Sequence, residues 1–172
     1  MQHKSFHYLF LLFFFIGFSG FAQNNVVKTD KKLQKALEEI TKDFKGVPGI
    51  YVYNLKTKME AGINADTIFP TASIVKVPIL TGVFKKIAQG DYKLHEPLVY
   101  DTIRAYGGSG IMQFFQDSTK TDLRTAAALM ITYSDNTSSL WCQELAGGGK
   151  EINKLMADLG LEHTRVNSRT EG

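Results

Sequence analysis

The chain has 172 residues, of which 44% are apolar and 22% are charged, with a formal net charge of +3 and a single cysteine. So weak a positive charge excludes the dense basic surface of a nucleic-acid-binding protein, and the apolar content excludes a disordered chain. Cys142 alone cannot form an internal disulfide, and no Cys/His pair has the spacing of zinc ligands. We therefore expect a folded domain without a metal or other cofactor.

Residues 1–22 have the pattern of a secretory signal peptide. Lys4 precedes an apolar run over residues 8–17, and small residues lead to Ala22, where we place the cleavage site. An uncleaved membrane anchor is the alternative, but the run is shorter than the ~20 residues that a bilayer span needs. The pattern predicts a secreted, periplasmic or extracellular monomer without a stable membrane anchor, whose domain occupies residues 23–172.

The first part of this domain is predicted to form one helix and then two strands. Apolar residues at helical spacing indicate an amphipathic helix that covers a core; they are Leu33, Leu37, Ile40 and Phe44. Residues 50–55 are rich in β-branched and aromatic side chains and predict a strand. After a turn at residues 56–58, residues 59–64 are expected to return as the antiparallel partner.

From residue 72 onward the pattern changes to helices. They are predicted over residues 74–88, 123–132, 137–145 and 150–159. Asp122 precedes the second of them and is expected to cap its N-terminus. Strands followed by helices, without an internal repeat or a linker, predict a single domain of the α+β class.

Ser73 and Lys76 form a pair that can carry chemistry. They lie three residues apart at the start of a predicted helix, so their side chains share one face. A serine becomes a nucleophile when a base takes its proton, and a lysine serves if its surroundings lower its pKa from about 10.4 to ~7. The helix N-terminus also stabilises the anionic oxygen formed on attack at a carbonyl. By itself, however, such a pair is a weak signal and is more typical of an ordinary helix start, since serine is a common N-cap and lysine a common helix residue.

A polar break at Ser134, Asp135 and Asn136 separates two predicted helices. Taken alone it is typical of helix capping, and Asp135 is expected to cap the helix that follows. Combined with Ser73 and Lys76, the break gains a chemical interpretation. Ser134 can relay a proton to a leaving amine, and the Asn136 amide can hold Lys76 or a substrate carbonyl.

With these motifs the chain resembles the class A beta-lactamases and related penicillin-recognising serine hydrolases. Four segments carry the resemblance in the family's order: Thr71–Pro78, Gly108–Gln113, Ala128–Thr137, and Leu159-Gly160 with Thr164-Arg165. The resemblance implies a beta-lactamase-like α+β fold, of which the chain holds only the N-terminal strands of the antiparallel sheet.

The same resemblance implies the roles of individual residues. Ser73 would be acylated by a beta-lactam or acyl-peptide carbonyl, Lys76 would share in proton transfer, and Ser134 would protonate the leaving nitrogen. Asn136 would contact the substrate, and so would Ser109, on a loop that overhangs the site.

Two features of the family are displaced or missing. In the lactamases an acidic residue activates the deacylating water five residues after the arginine that corresponds to Arg165, and this chain has Thr170 there. Glu171 takes that catalytic role only if the loop carries a one-residue insertion. No Lys-Thr-Gly strand follows these motifs. We therefore expect a C-terminally truncated family member that is inactive in this form.

Three functions remain open on these grounds. The first is an exported serine hydrolase that opens beta-lactam amides through a Ser73 acyl-enzyme. The second is a penicillin-binding D,D-peptidase-like protein that is acylated but deacylates slowly. The third is a homologue that binds cell-wall peptide without cleaving it, which the missing third motif favours.

Overall fold

The computed structural model describes residues 28–166. The predicted signal peptide, residues 1–22, and Glu171 lie outside the described residues. The chain divides after Thr67 into two compact units. No helix among the described residues is long and apolar enough to cross a membrane.

The N-terminal unit contains a three-stranded sheet. Strands β2 (Ile50–Asn54) and β3 (Met59–Ile63) form the predicted antiparallel hairpin. At the turn, the Asn54 side chain accepts hydrogen bonds from two successive backbone N–H groups, which stabilises the reversal of the chain. A short strand β1 (Lys28–Thr29), which the sequence pattern did not predict, pairs in parallel with β3 and gives the order β1-β3-β2.

The predicted first helix is present as α1 (Lys31–Thr41), but its apolar face is shorter than expected. Asp30 caps it, since its carboxylate accepts hydrogen bonds from the N–H groups of the second and third helical residues. Leu37 is buried, whereas Ile40 is 73% exposed and Phe44 is 60% exposed. The expectation that these two residues cover a core is not met in the described residues: Phe44 lies beyond the end of α1, and Ile40 is largely uncovered although it is only three residues from Leu37.

The C-terminal unit is built mainly from four helices. Their bounds are α2 (Lys76–Gln89), α3 (Leu123–Thr132), α4 (Asn136–Leu145) and α5 (Gly148–Asp158). Each one coincides with a predicted helix to within two residues at either end. Helix α4 is central, since it packs against α2, α3 and α5.

A second, two-stranded sheet in this unit was not predicted. Strand β4 (Pro97–Val99) pairs antiparallel with β5 (Lys120–Asp122), directly before α3. The strands are only three residues long, too short to show an alternating pattern in the sequence. Two small sheets and a helical block confirm the α+β class.

The four helices enclose an apolar core. Almost fully buried side chains come from three of them: Ile79, Val83, Leu123, Met130 and Ile152. Helix α4 contributes Trp141 and Cys142. Burial raises the pKa of the Cys142 thiol to about 12, so this thiol is an inert apolar group. Packing of α2 against α4 brings the N-terminal ends of these two helices side by side.

Asp122 begins α3, as predicted. One carboxylate oxygen accepts a hydrogen bond from the Thr125 N–H at 2.8 Å, and His95 Nδ1 lies 2.7 Å from the other. Hydrogen bonds from Thr125 and then from His95 lower the pKa of Asp122 from 3.8 to about 2. The unfolded chain lacks these contacts, so charged Asp122 stabilises the fold above pH ~4, and this stabilisation is lost as the pH falls towards 2.

We expect Asp122→Ala to lower the free energy of unfolding at pH 7 by about 1 to 2 kcal/mol, because a helix cap is lost. The difference from the wild type should shrink between pH ~4 and ~2. Urea unfolding followed by circular dichroism at several pH values measures both effects.

The control for this experiment is Asp91→Ala, which removes an exposed ion pair with Lys86. Exposed pairs of this kind contribute less than about 1 kcal/mol. An effect of Asp122→Ala no larger than that of the control, or one that does not vary with pH, contradicts the capping role.

Candidate active site

Ser73 lies in a 3-10 turn, Ala72–Val75, that leads directly into α2. Pro78 is in the first turn of α2, where its missing N–H is tolerated, so the helix does begin beside Ser73 as expected. Ala72 has a φ of 42°, in the left-handed region that side chains with a Cβ seldom adopt. Such backbone strain clusters at functional sites, and here it occurs immediately before the candidate nucleophile.

Lys76 is the first residue of α2 and is only 5% exposed. Its Nζ lies 3.1 Å from Ser73 Oγ, 3.1 Å from Ser134 Oγ and 3.0 Å from Asn136 Oδ1. Three oxygens thus match the three N–H donors of the ammonium group. Burial lowers the pKa of Lys76, and the nearby charge of Asp135 offsets part of this effect. Deprotonation of Lys76 to the neutral amine, the form that can act as a base, therefore costs less free energy than deprotonation of an exposed lysine.

Ser134 completes a triangle with the other two groups. Its hydroxyl donates a hydrogen bond to Ser73 Oγ at 2.8 Å while it accepts one from Lys76. The backbone of Ser134 has a φ of 53°, a left-handed conformation in the short connection between α3 and α4. This arrangement gives every pair among the three groups a hydrogen-bonded path for a proton.

Asp135 is 1% exposed and joins two parts of the site. Its Oδ1 accepts a hydrogen bond from the Ser138 N–H at 2.8 Å, so it caps α4 as predicted. Its Oδ2 accepts hydrogen bonds from the N–H groups of Ile111 and Met112, each at 2.7 Å. These three N–H donors compensate the charge of the buried carboxylate. They also attach the loop that contains Ile111 and Met112 to the start of α4.

The loop at residues 106–112 lies against the start of α4. The Ser109 carbonyl accepts a hydrogen bond from the Asn136 N–H at 3.0 Å. Gly110 has a φ of 104°, and a Cβ there would come within 2.3 Å of the Asp135 carboxylate, so only glycine allows this close approach. Ser109 therefore meets the site through its backbone, while its side chain is exposed. Its contact with substrate stays a prediction.

The structure brings together four of the six predicted site residues: Ser73, Lys76 and Ser134 contact one another, and Asn136 contacts Lys76. Glu171 lies outside the described residues, and its role in deacylation stays a prediction. Sequence reasoning missed Thr137, a 1% exposed residue whose hydroxyl binds the backbone of Tyr106. No local sequence signal could have found this contact, since the two residues are 31 positions apart in the chain.

A cavity of about 210 Å³ lies beside Asn136. Its lining combines apolar and uncharged polar side chains, namely Val75, Ile79, Tyr106, Ser139, Leu140, Gln143 and Val166. None of these described lining residues is acidic. Within residues 28–166 there is also no group of three His, Cys, Asp or Glu side chains arranged to hold a metal ion.

Among solved structures, the chain is similar to PBP-A. The two are 29% identical, with a TM-score of 0.76, over 82% of this chain and 54% of the PBP-A chain. A leucine-to-glutamate mutant of PBP-A, solved as an acyl-enzyme complex with penicillin G, also matches at 29% identity and a TM-score of 0.76, over 83% of this chain and 54% of its own.

An ancestral class A beta-lactamase, named GNCA, shares the fold at 24% identity and a TM-score of 0.73, over 79% of this chain and 52% of its own. The chain thus spans about half the length of these solved structures. No curated protein matches its sequence.

The sequence profile of the beta-lactamase enzyme family matches residues 32–172, which include every motif named above. The fold and the profile together confirm the resemblance that the motifs indicated. The chain therefore belongs to the beta-lactamase enzyme family.

Proposed function

We propose that this protein is an exported serine hydrolase that opens beta-lactam amides through an acyl-enzyme on Ser73. The observation that carries the proposal is the hydrogen-bonded triangle of Ser73, Lys76 and Ser134, with all three sides between 2.8 and 3.1 Å. A hydroxyl in contact with a buried amine is an activated nucleophile. The Ser134 hydroxyl can donate a proton to the leaving group, and a simple Ser-Lys pair has no group for this step.

In the acylation step, neutral Lys76 takes the Ser73 hydroxyl proton as Oγ attacks the carbonyl carbon. The new C–O bond leaves the negative charge on the former carbonyl oxygen. The backbone N–H of Ser73, at the entrance to α2, is suited to stabilise that oxyanion. Lys76 becomes an ammonium ion in the process, and it is already surrounded by three oxygens that accept its hydrogen bonds.

Collapse of this intermediate breaks the C–N bond. The departing nitrogen takes the hydroxyl proton of Ser134, which recovers a proton from the Lys76 ammonium at 3.1 Å. The acyl group remains as an ester on Ser73, and Lys76 is neutral again. Asn136, whose amide oxygen binds Lys76, presents its amide nitrogen towards the loop and is suited to bind a substrate carbonyl.

A second function, a penicillin-binding protein that is acylated but slow to hydrolyse the ester, is supported by the surroundings of the site. The described cavity beside Asn136 has no acidic lining, and Thr170 stands where lactamases place the deacylating acid. A mutant of PBP-A, also 29% identical to this chain, was solved as an acyl-enzyme complex with penicillin G, as this second function requires. The distinction between the two functions thus depends on whether Glu171 reaches the acyl-enzyme.

The first prediction concerns the acyl-enzyme itself. Incubation of the full-length protein with penicillin G should give a stoichiometric covalent adduct, located on Ser73 by mass spectrometry of the intact chain and its peptides. Ser73→Ala should give none, because Ser134, which also contacts Lys76, does not lie at the entrance to α2, where the oxyanion is stabilised. Ser118→Ala, which changes an exposed serine, should be acylated normally. Absence of an adduct on the wild type would instead favour a protein that only binds cell-wall peptide.

The second prediction concerns pH. Because Lys76 must be neutral to accept the proton and burial lowers its pKa, the acylation rate should rise with pH and level off below the ordinary lysine value of 10.5. Lys76→Arg should slow acylation by about 100-fold or more, since arginine stays protonated. Stopped-flow measurements with a chromogenic cephalosporin give both quantities.

The control for the base is Lys86→Arg, a partly exposed lysine paired with Asp91, which should leave acylation unchanged. A rate that does not vary with pH, or a Lys76→Arg variant as fast as the control, would exclude Lys76 as the base.

The third prediction separates a lactamase from a penicillin-binding protein. If Glu171 is the deacylating base, Glu171→Gln should stop turnover and leave acylation intact, so that the acyl-enzyme accumulates. Glu162→Gln, at an exposed position, is the matched control. Quenched-flow mass spectrometry follows both steps. Unchanged turnover removes Glu171 from the mechanism, and a wild type that stays acylated is a penicillin-binding protein.

A further inference from the structure

A segment that we name the strap, residues 104–112, runs antiparallel along α4. At its start, the Arg104 guanidinium pairs with the Glu144 carboxylate and lies 5.3 Å from the centre of the Trp141 ring. At its end, two backbone N–H groups bind the Asp135 carboxylate. The strap is therefore attached to both ends of the helix that carries part of the site.

Thr137 attaches the middle of the strap. It is 1% exposed, and its hydroxyl both accepts a hydrogen bond from the Tyr106 N–H at 2.9 Å and donates one to the Tyr106 carbonyl at 3.1 Å. To bind both the N–H and the carbonyl of one backbone residue, a side chain must be able to accept and to donate a hydrogen bond. The threonine hydroxyl can do both, whereas the side chain of valine, which has nearly the same shape, can do neither. This contact fixes the position and the orientation of the backbone that enters Gly107.

The Gly107 carbonyl is the next polar group of the strap. It accepts a hydrogen bond from Asn136 Nδ2 at 3.2 Å, while Asn136 Oδ1 accepts one from Lys76 Nζ at 3.0 Å. The Gly107 carbonyl can only accept a hydrogen bond, and the Lys76 ammonium can only donate one. Both partners therefore favour the same orientation of the Asn136 amide, with its nitrogen towards Gly107 and its oxygen towards Lys76. A Cβ at Gly108 would lie 2.7 Å from Asn136 Nδ2, which shows how closely the strap backbone packs on the amide.

We propose that Thr137 is a positioning residue, which binds the Tyr106 backbone so that the Gly107 carbonyl holds the Asn136 amide with its oxygen towards Lys76. Without the hydroxyl, the carbonyl is no longer held in place, and the amide is free to rotate. Lys76 then loses one of its three acceptors. The consequence for catalysis rests on the proposed function, whereas the geometry of the amide does not.

The charge state of Lys76 reports this geometry. A hydrogen bond to Asn136 Oδ1 favours the ammonium form, as does the negative charge of Asp135, whereas burial disfavours it. If the amide turns away while Asp135 and the burial stay unchanged, the neutral form gains. The pKa of Lys76 must then fall below its wild-type value.

The test compares Thr137→Val with Thr137→Ser in the full chain. In Thr137→Val we expect the pKa of Lys76, read from the NMR titration of its ¹³Cε signal, to fall by about one unit, the effect of losing one hydrogen bond to a charge. The side-chain amide protons of Asn136 should also exchange faster with solvent. Thr137→Ser keeps the hydroxyl and should restore both wild-type values.

A matched control is Ser138→Ala, which removes the buried hydroxyl of the next residue in α4, bound to the Met112 sulfur. It should lower the free energy of unfolding without moving the pKa of Lys76. A pKa and an amide exchange rate in Thr137→Val equal to those of the wild type would overturn the inference. So would a control that shifts the pKa of Lys76 as far as Thr137→Val does.

Two further measurements keep the test decisive if Thr137→Val does not fold or if penicillin does not acylate Ser73. If Thr137→Val does not fold, amide exchange in the wild type decides, because the Tyr106 N–H and the Asn136 side chain should both be protected, and rapid exchange of both refutes the positioning role. These readouts need no substrate, so they test Thr137 even if penicillin fails to acylate Ser73. Where acylation occurs, Thr137→Val should slow it about tenfold and Thr137→Ser should not.

Discussion

Every feature of the site depends on the burial of one amine. Lys76 is withdrawn from water at the start of α2, and three oxygens from separate side chains take the place of its hydration. Burial disfavours the charge and the oxygens favour it, so the two forms of the amine are brought closer in free energy than in water. A base that must gain and lose a proton within one reaction cycle needs this balance.

The partners of Lys76 are held by a second buried charge. Asp135 begins α4 and, through the same carboxylate, binds two N–H groups of the strap. Removing either set of donors would leave one oxygen of a buried carboxylate without a hydrogen bond, which is costly, so the helix start and the strap support each other. Ser134, which directly precedes Asp135, has a strained left-handed backbone, as is common where surrounding contacts fix the conformation of a functional site.

The two halves of the proposed reaction have unequal support in the described residues. Formation of the acyl-enzyme requires groups that are all in contact: a hydroxyl, a buried amine and a second hydroxyl. Hydrolysis requires in addition a base for water, and the candidate for that role, Glu171, lies outside the described residues.

Local features of the sequence determined the helices of the C-terminal unit, the hairpin, the caps at Asp122 and Asp135, and the pairing of Ser73 with Lys76 on one helical face, because each depends on spacings of a few residues. Tertiary structure alone decided which oxygens reach Lys76, since two of them come from positions 58 and 60 residues away. It also decided that Ile40 is exposed and that the strap lies on α4. Contacts between distant residues form only when helices pack against one another, and the spacing of apolar residues along the chain does not predict them.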